Sequence, residues 1–283
     1  MDPIDQPTPS NQPYPSTGQS FVLLLICIGF TLVFGIVQAE LSAYVSTEAA
    51  FLIMYLLTFG ATLLVGLRLK RRAEGWFQFS VAGIPLVAYP ILYLVTINIM
   101  NICIPLTELV PMPEEVRRIL EDLIGSGNVY MFLAAVIAAP IFEELIFRGV
   151  ILNGLLRNYN HWYAIALSSF LFGIAHLNPW QFIVAFLLGL FLGWVYYRTQ
   201  SLIACILIHF FTNGTSFTVS MIWEDEATTD AITMYGGSMT YLLLGMLASV
   251  LMIAGSIYVL DRLFQAPVDW HQKEAVPEVE GIE

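Results

Sequence analysis

Apolar residues run through the chain in eight long stretches that are separated by short polar segments. A helix needs about 20 mostly apolar residues to cross the hydrocarbon of a bilayer, and each stretch meets or approaches that length. The predicted spans cover residues 20–38, 49–69, 79–103, 129–156, 162–177, 181–198, 201–222 and 239–264. The pattern predicts an all-α, polytopic membrane protein with about eight transmembrane helices enclosing an intramembrane cavity.

The fifth stretch is the shortest and ends at Asn178-Pro179. We expect this helix to stop part-way across the membrane, against a protein-lined cavity where irregular backbone is tolerated. Between the third and fourth spans, residues 113–123 alternate charged and apolar side chains and predict a short amphipathic helix at the interface.

The two ends of the chain are polar. Residues 1–20 hold five prolines and no lysine or arginine, which predicts a flexible N-terminal tail. Residues 266–283 are acidic and interrupted by Pro267 and Pro277, which predicts a C-terminal tail. Residues 21–265 then form the eight-helix membrane domain.

Composition supports a lipid environment, since 58% of the side chains are hydrophobic and only 12% are charged. Soluble domains carry about 25% charged residues. The formal net charge of -11 argues against nucleic acid as a partner, because nucleic-acid binding needs a clustered basic surface. Cys27, Cys103 and Cys205 lie in apolar runs without paired or metal-type spacing, so we expect buried free thiols.

The basic residues predict the orientation, because cytoplasmic loops collect lysine and arginine. With eight spans and a cytoplasmic N-terminus, Arg117 and Arg118 fall outside and Arg148 falls within the membrane. The remaining basic residues fall on the cytoplasmic side, and they are Arg68, Lys70, Arg71, Arg72, Arg157, Arg198, Arg262 and Lys273. Both termini are therefore predicted to be cytoplasmic.

Ionisable groups inside transmembrane segments cost at least about 2.5 to 3.5 kcal/mol near a helix centre, so each one is a candidate functional residue. The charged and histidine side chains inside the apolar spans and away from their inner ends are Glu143, Glu144, Arg148, His176 and His209, and Asn213 lies one helical turn beyond His209. At about 1.5 Å rise per residue, those on the fourth, fifth and seventh helices lie roughly 12 to 21 Å from the inner ends. Their similar depth predicts that they face one cavity.

Spacing within the fourth helix refines this prediction. Glu144 and Arg148 are four residues apart and share a face, so we expect an ion pair. Glu143 is rotated by about 100° and has no partner in its own helix, which suits a general base. The structural interpretation of the pair, a buried salt bridge without a catalytic role, stays open.

The other helices carry the same four-residue spacing. His209 and Asn213 share one face, and Phe172 and His176 share another, with the phenyl ring expected to wall the cavity. Here too a structural interpretation stays open: interhelical hydrogen bonding for the first pair and a packing or interfacial histidine at position 176.

Three motifs in this part of the chain resemble a known family. Residues 143–149 (EELIFRG), 172–176 (FGIAH) and 209–213 (HFFTN) fit the patterns EExxxR, FxxxH and HxxxN, in order and on separate helices. The segment of about 130–220 resembles the CPBP intramembrane proteases. That family includes type II CAAX-prenyl endopeptidases and proteins linked to bacteriocin processing and self-immunity.

The resemblance implies roles for the polar side chains. Glu143 and His176 would activate a water molecule, and His209 with Asn213 would stabilise the tetrahedral oxyanion. The activity implied is hydrolysis of a peptide bond in a protein or peptide substrate at the membrane. Processing of a CAAX-type C-terminus is one candidate form of it, and the implied location is the plasma membrane of a prokaryote.

Glu144 and Arg148 would orient the site, while metal dependence stays open. Glu143, His176 and His209 would be enough ligands for a catalytic zinc ion with one open position. No HExxH spacing is present, however, and a metal-free mechanism is an equal alternative.

Two other functions compete with proteolysis. Intramembrane carboxylates and histidines also occur in transporters and proton relays, although these usually have paired halves, and none is evident here. The third hypothesis is an immunity protein that keeps the family site but acts by binding a partner.

Overall fold

The computed structural model describes residues 13–75, 78–118, 128–222, 230–264 and 270. The fold class is confirmed, because all regular elements in these residues are helical and seven helices are long and apolar enough to cross a membrane. An eighth apolar helix is shorter, as predicted. The helices are α1 Thr17–Leu41, α2 Thr47–Glu74, α3 Ala88–Glu108, α4 Val129–Asn158, α5 His161–Ala175, α6 Pro179–Thr199, α7 Leu202–Ile222 and α8 Met239–Leu263.

Polar residues next to the apolar runs set where the helices begin. The side chains of Ser16, Ser46, Asn160, Asn178 and Ser238 each accept a hydrogen bond from a backbone N–H in the first turn of the helix that follows. Such caps satisfy N–H groups that have no partner inside the helix. The polar breaks in the sequence therefore act as helix start signals as well as connections.

The third span was predicted over 79–103, and this prediction is wrong at both ends, because α3 covers Ala88–Glu108. Pro85 lies in the missing stretch, and a proline removes a backbone donor and obstructs the preceding turn of a helix. The segment is instead bound by its backbone, since the Leu202 N–H donates to the Ser80 carbonyl at 3.3 Å.

The N-terminal tail predicted for residues 1–20 is wrong for residues 13–20. Helix α1 already begins at Thr17, and Tyr14 is buried against the bundle. The Tyr14 N–H donates to Glu74 Oε1 at 2.7 Å, and Lys70 Nζ donates to the Tyr14 carbonyl at 2.9 Å. Backbone hydrogen bonds to α2 thus order a proline-rich segment that has few apolar side chains of its own.

The C-terminal tail predicted for residues 266–283 is wrong at Trp270, which is buried and donates its indole N–H to the Tyr197 carbonyl at 3.1 Å. The other residues of that tail lie outside the described residues. The amphipathic helix predicted over 113–123 is helical at 114–118, and its remainder lies outside the described residues.

The three cysteines are buried free thiols, as predicted. Helices α5 and α6 pack closely where α6 carries glycine. A Cβ added to Gly189 would lie 3.0 Å from the Ser169 Cβ, and one added to Gly193 would lie 3.0 Å from Ile165 Cγ2. This close approach brings the backbone of α6 within reach of side chains on α4.

Candidate active site

Helix α4, which carries three of the six candidate residues, is not a uniform α-helix. Leu133–Ala138 and Leu145–Leu152 are π-helical, and the Ala139 N–H donates to the Ala134 carbonyl five residues back. In this register the next carbonyl, that of Ala135, faces position 140. Pro140 has no N–H to give it, so the Ala135 carbonyl needs a partner from elsewhere.

Asn213 of α7 supplies that partner. Its Nδ2 donates to the Ala135 carbonyl at 2.8 Å. An amide nitrogen carries two hydrogens, so one N–H of Asn213 remains for the cavity that this side chain lines. The predicted oxyanion donor is therefore also a structural hydrogen-bond donor to α4.

Glu143 is 6% exposed and lies between α2 and α7. The Tyr55 hydroxyl donates to its Oε1 at 2.7 Å, and its Oε2 lies 3.9 Å from His209 Nε2. The sequence predicted no partner for Glu143 within its own helix, and the partner indeed comes from another helix. Sequence reasoning missed Tyr55, although a tyrosine hydroxyl in the middle of an apolar span requires a hydrogen-bond partner.

Glu144 contacts both Arg148, its predicted partner, and His209. Arg148 Nη1 lies 2.8 Å from Glu144 Oε1, so the predicted pair is confirmed, and His209 Nδ1 lies 2.8 Å from the same oxygen. Because a carboxylate oxygen accepts, Nδ1 of His209 carries the proton and Nε2 is the nitrogen directed toward Glu143. The second amino group of Arg148 donates to the Gly189 carbonyl at 3.2 Å.

His176 lies at the C-cap of α5, where the chain turns through Leu177 in a left-handed conformation (φ 58°). Its Nδ1 donates to the Phe172 carbonyl at 2.9 Å, which leaves Nε2 as the acceptor nitrogen of the neutral ring. The Phe172 ring lies 5.1 Å from the His176 ring and 6.0 Å from the His209 ring. Phe172 therefore packs against both imidazoles, and it lines the cavity, as predicted.

The cavity has a volume of about 1060 Å³. It brings together Glu143, His176, His209 and Asn213, whereas Glu144 and Arg148 do not line it and lie buried behind His209. Most of the remaining wall is apolar, and it includes Phe51, Met54, Phe59, Met131, Val184 and Leu188. Such a cavity places a few polar groups in surroundings suited to an apolar peptide segment.

Metal dependence was left open by the sequence. Across the part of the chain that the structure describes, no three histidine, cysteine, aspartate or glutamate side chains are grouped to hold a metal ion. Glu143, His176 and His209 all line the cavity.

The site residues lie in a segment that matches a known protein family. The family model described as "Type II CAAX prenyl endopeptidase Rce1-like" matches residues 125–215. This segment resembles the Rce1-like family. The match contains all six candidate residues, and it confirms the family resemblance inferred from the three motifs.

Two curated proteins are each similar to about a third of the chain. "Putative membrane peptidase YdiL" of Bacillus subtilis (strain 168) is 32% identical over 94 residues, which is 33% of this chain and 38% of that protein. "UPF0177 protein YaiF" of Lactococcus lactis subsp. lactis (strain IL1403) is 35% identical over 104 residues, which is 36% of this chain and 45% of that protein.

The similarity thus spans less than half the length of these curated relatives. No solved structure matches the chain.

Proposed function

We propose that the protein is an intramembrane endopeptidase in which Glu143 activates the water that attacks a peptide bond. The observation that carries this proposal is the placement of Glu143 Oε2 3.9 Å from His209 Nε2 at the wall of an apolar cavity. That separation is longer than a hydrogen bond, so Glu143 Oε2 and His209 Nε2 are not hydrogen-bonded to each other. Both are available to a bound water or substrate.

Glu143 acts as the general base in this mechanism. Tyr55 fixes one carboxylate oxygen, so the other faces the cavity in a defined direction. Oε2 takes a proton from water while the water oxygen attacks the carbonyl carbon. Glu143 then returns this proton to the leaving amine as the C–N bond breaks, and the carboxylate is regenerated.

His209 and Asn213 stabilise the negative charge on the carbonyl oxygen. When His209 is protonated on both nitrogens, Nδ1 donates to Glu144 and Nε2 donates to the oxyanion. The second N–H of Asn213 donates to the same oxyanion. Preorganised donors of this kind act strongly in a site from which water is excluded.

Glu144, Arg148 and His176 are assigned supporting roles. Glu144 accepts a hydrogen bond from His209 Nδ1 and so holds the orientation of the ring, and Arg148 holds Glu144 in place. Nε2 of His176 accepts a hydrogen bond from the attacking water. We assign the protein to the plasma membrane of a prokaryote, with both termini in the cytoplasm.

The Glu143→Gln variant tests the proposal, because glutamine keeps the shape of the side chain but cannot accept the proton. We expect peptide-bond cleavage to fall by about 10² to 10⁴, the usual contribution of a general base. A substrate is identified as a membrane protein that accumulates uncleaved in cells carrying this variant, and the rate is then measured with purified protein.

The matched control is Glu40→Gln, which removes the same charge from an exposed position near the end of α1. It should retain the full rate. Cleavage by Glu143→Gln at the wild-type rate, with both variants folded to the same melting temperature, would refute the proposal.

A further inference from the structure

The two ends of the helical bundle differ in charge. One end is formed by the C-termini of α2, α4, α6 and α8, which carry Arg68, Arg71, Arg72, Arg157, Arg198 and Arg262. The described acidic residues at the opposite end are Glu40, Glu48, Glu108, Glu114, Glu115 and Asp230. Arg117 and Arg118 are the described basic residues there.

Side-chain contacts hold the arginine-rich ends together. Arg157 of α4 pairs with Glu74 of α2 at 2.8 Å, and Asn153 of α4 donates to the Tyr196 hydroxyl of α6 at 3.3 Å. An ion pair between Arg198 and Asp261 joins α6 to α8. These ends therefore form one face of the molecule, and the positive-inside rule assigns that face to the cytoplasm.

The cavity belongs to the other half of the bundle. It is lined by the N-terminal halves of α2, α4 and α6 and by the last turns of α3 and α5. Its rim includes Met112, Trp180 and Asp230, and the Trp180 indole donates to the Val110 carbonyl at 2.8 Å. None of the arginines of the cytoplasmic face belongs to the described lining.

Packed side chains close the cavity toward the cytoplasm. From Glu143 to the end of α4 the helix continues for about 20 Å. Phe147, Ile151 and Leu155 follow along this stretch and are at most 1% exposed. Along α4, these packed side chains separate Glu143 from the arginine-rich face.

We infer that the cavity opens on the extracytoplasmic face and that the substrate is an apolar peptide segment presented from that face. This inference rests on the proposed proteolytic function and narrows its substrate class. The segment belongs to an exported polypeptide or to the outer end of a membrane anchor, and its apolar side chains contact walls such as Phe51, Met131 and Leu188. A prenylated C-terminal tail is made in the cytoplasm. It therefore approaches the arginine-rich face, on the opposite side of the bundle from the cavity.

Cysteine labelling tests the orientation. Leu86 and Leu109 flank the two ends of α3 and are 84% and 76% exposed, so Leu86→Cys and Leu109→Cys form a matched pair. The unmodified chain is the blank, because its three cysteines are buried. In intact cells a membrane-impermeant maleimide should label Leu109→Cys, with Leu86→Cys labelled only after permeabilisation. The reverse pattern would overturn the inference whatever the protease does.

Cleavage of paired reporters tests the substrate class. Two single-span reporters carry the same apolar segment, placed just beyond the outer end of the span in one and just before the inner end in the other. We expect cleavage of the outer reporter alone, and loss of that cleavage in Glu143→Gln. Glu143-dependent cleavage of the inner reporter alone would overturn the inference and leave the proposed protease standing.

Cleavage of neither reporter would overturn the substrate assignment. The membrane proteomes of wild-type and Glu143→Gln cells then separate the two failures. Peptide termini that depend on Glu143 would show a protease with a different substrate, and identical proteomes would count against proteolysis itself.

Discussion

The carboxylate of Glu143 is held by a single strong hydrogen bond from Tyr55, and its second oxygen is left toward His209. This asymmetry matters for the proposed chemistry, because a general base must keep one oxygen free while its orientation stays fixed. The neighbouring Glu144 is used differently. One oxygen of Glu144 accepts hydrogen bonds from both Arg148 and His209, so this carboxylate serves to position the His209 ring.

Removing the Tyr55 hydroxyl in Tyr55→Phe should lower kcat by roughly 10- to 100-fold with little change in KM. A hydrogen bond to a charged group contributes about 1.5 to 3 kcal/mol, and each 1.36 kcal/mol corresponds to about a factor of ten in rate. Steady-state kinetics on the purified protein measure both parameters. Tyr44→Phe, at a position that is 85% exposed, is the conservative control. A Tyr55→Phe protein with a raised KM and unchanged kcat would contradict the positioning role.

Extensive dialysis against a chelator should leave the cleavage rate unchanged, because Glu143, His176 and His209 are not grouped as a ligand set. The rate is measured before dialysis, after it, and after addition of zinc. A chelated sample that loses activity and regains it with zinc would contradict the metal-free mechanism. Chelation of a known zinc protease in the same detergent checks that the treatment is effective.

Some of these residue-level contacts could be predicted from the sequence and others could not. The Glu144–Arg148 pair was predictable, since a four-residue spacing fixes proximity within one helix. The bond from Tyr55 to Glu143 joins residues 88 positions apart and depends on how α2 packs on α4. A tyrosine in an apolar span also lacks the charge that singled out the other candidates.

At the scale of the helical element, Pro140 links local backbone structure to the site. The hydrophobic pattern predicted one continuous helix over 129–156, because an apolar run contains no information about the hydrogen-bond register. The π-helical turn before Pro140 leaves the Ala135 carbonyl to Asn213. Single-turn π segments are frequent at functional sites, and here the turn ties α7 to α4 beside the cavity.

A double-mutant cycle measures this link. Asn213→Ala leaves the buried Ala135 carbonyl without its donor and should lower the free energy of unfolding by about 1 to 3 kcal/mol. Pro140→Ala supplies a backbone N–H at the position the carbonyl faces. In that background the loss caused by Asn213→Ala should be clearly smaller, as measured by denaturant unfolding in micelles. Additive effects of the two substitutions would show that the carbonyl is not shared between them.

For the whole molecule, the apolar pattern was sufficient to predict an all-α membrane protein with seven long helices and one short one. The apolar pattern gave the wrong structure for two segments that are held by hydrogen bonds to their backbone. Tyr14 is bound by Lys70 and Glu74 in a segment that the pattern assigned to a tail. The stretch before α3, which the pattern assigned to a helix, is bound through the Ser80 carbonyl. Hydropathy measures how readily side chains enter lipid. It contains no information about hydrogen bonds to the backbone of a distant segment.

The outer surface of α8 offers a test of this whole-molecule arrangement. Leu251 lies at the middle of the helix and is 63% exposed, so we expect it to contact lipid. Leu251→Arg places a charge at the bilayer centre, which costs about 2.5 to 3.5 kcal/mol on insertion scales. The yield of membrane-integrated, folded protein should therefore fall sharply. Met239→Arg, at the end of the same helix and 52% exposed, should be tolerated because its side chain reaches the interface. Equal yields of the two variants would mean that α8 does not cross the bilayer in this register.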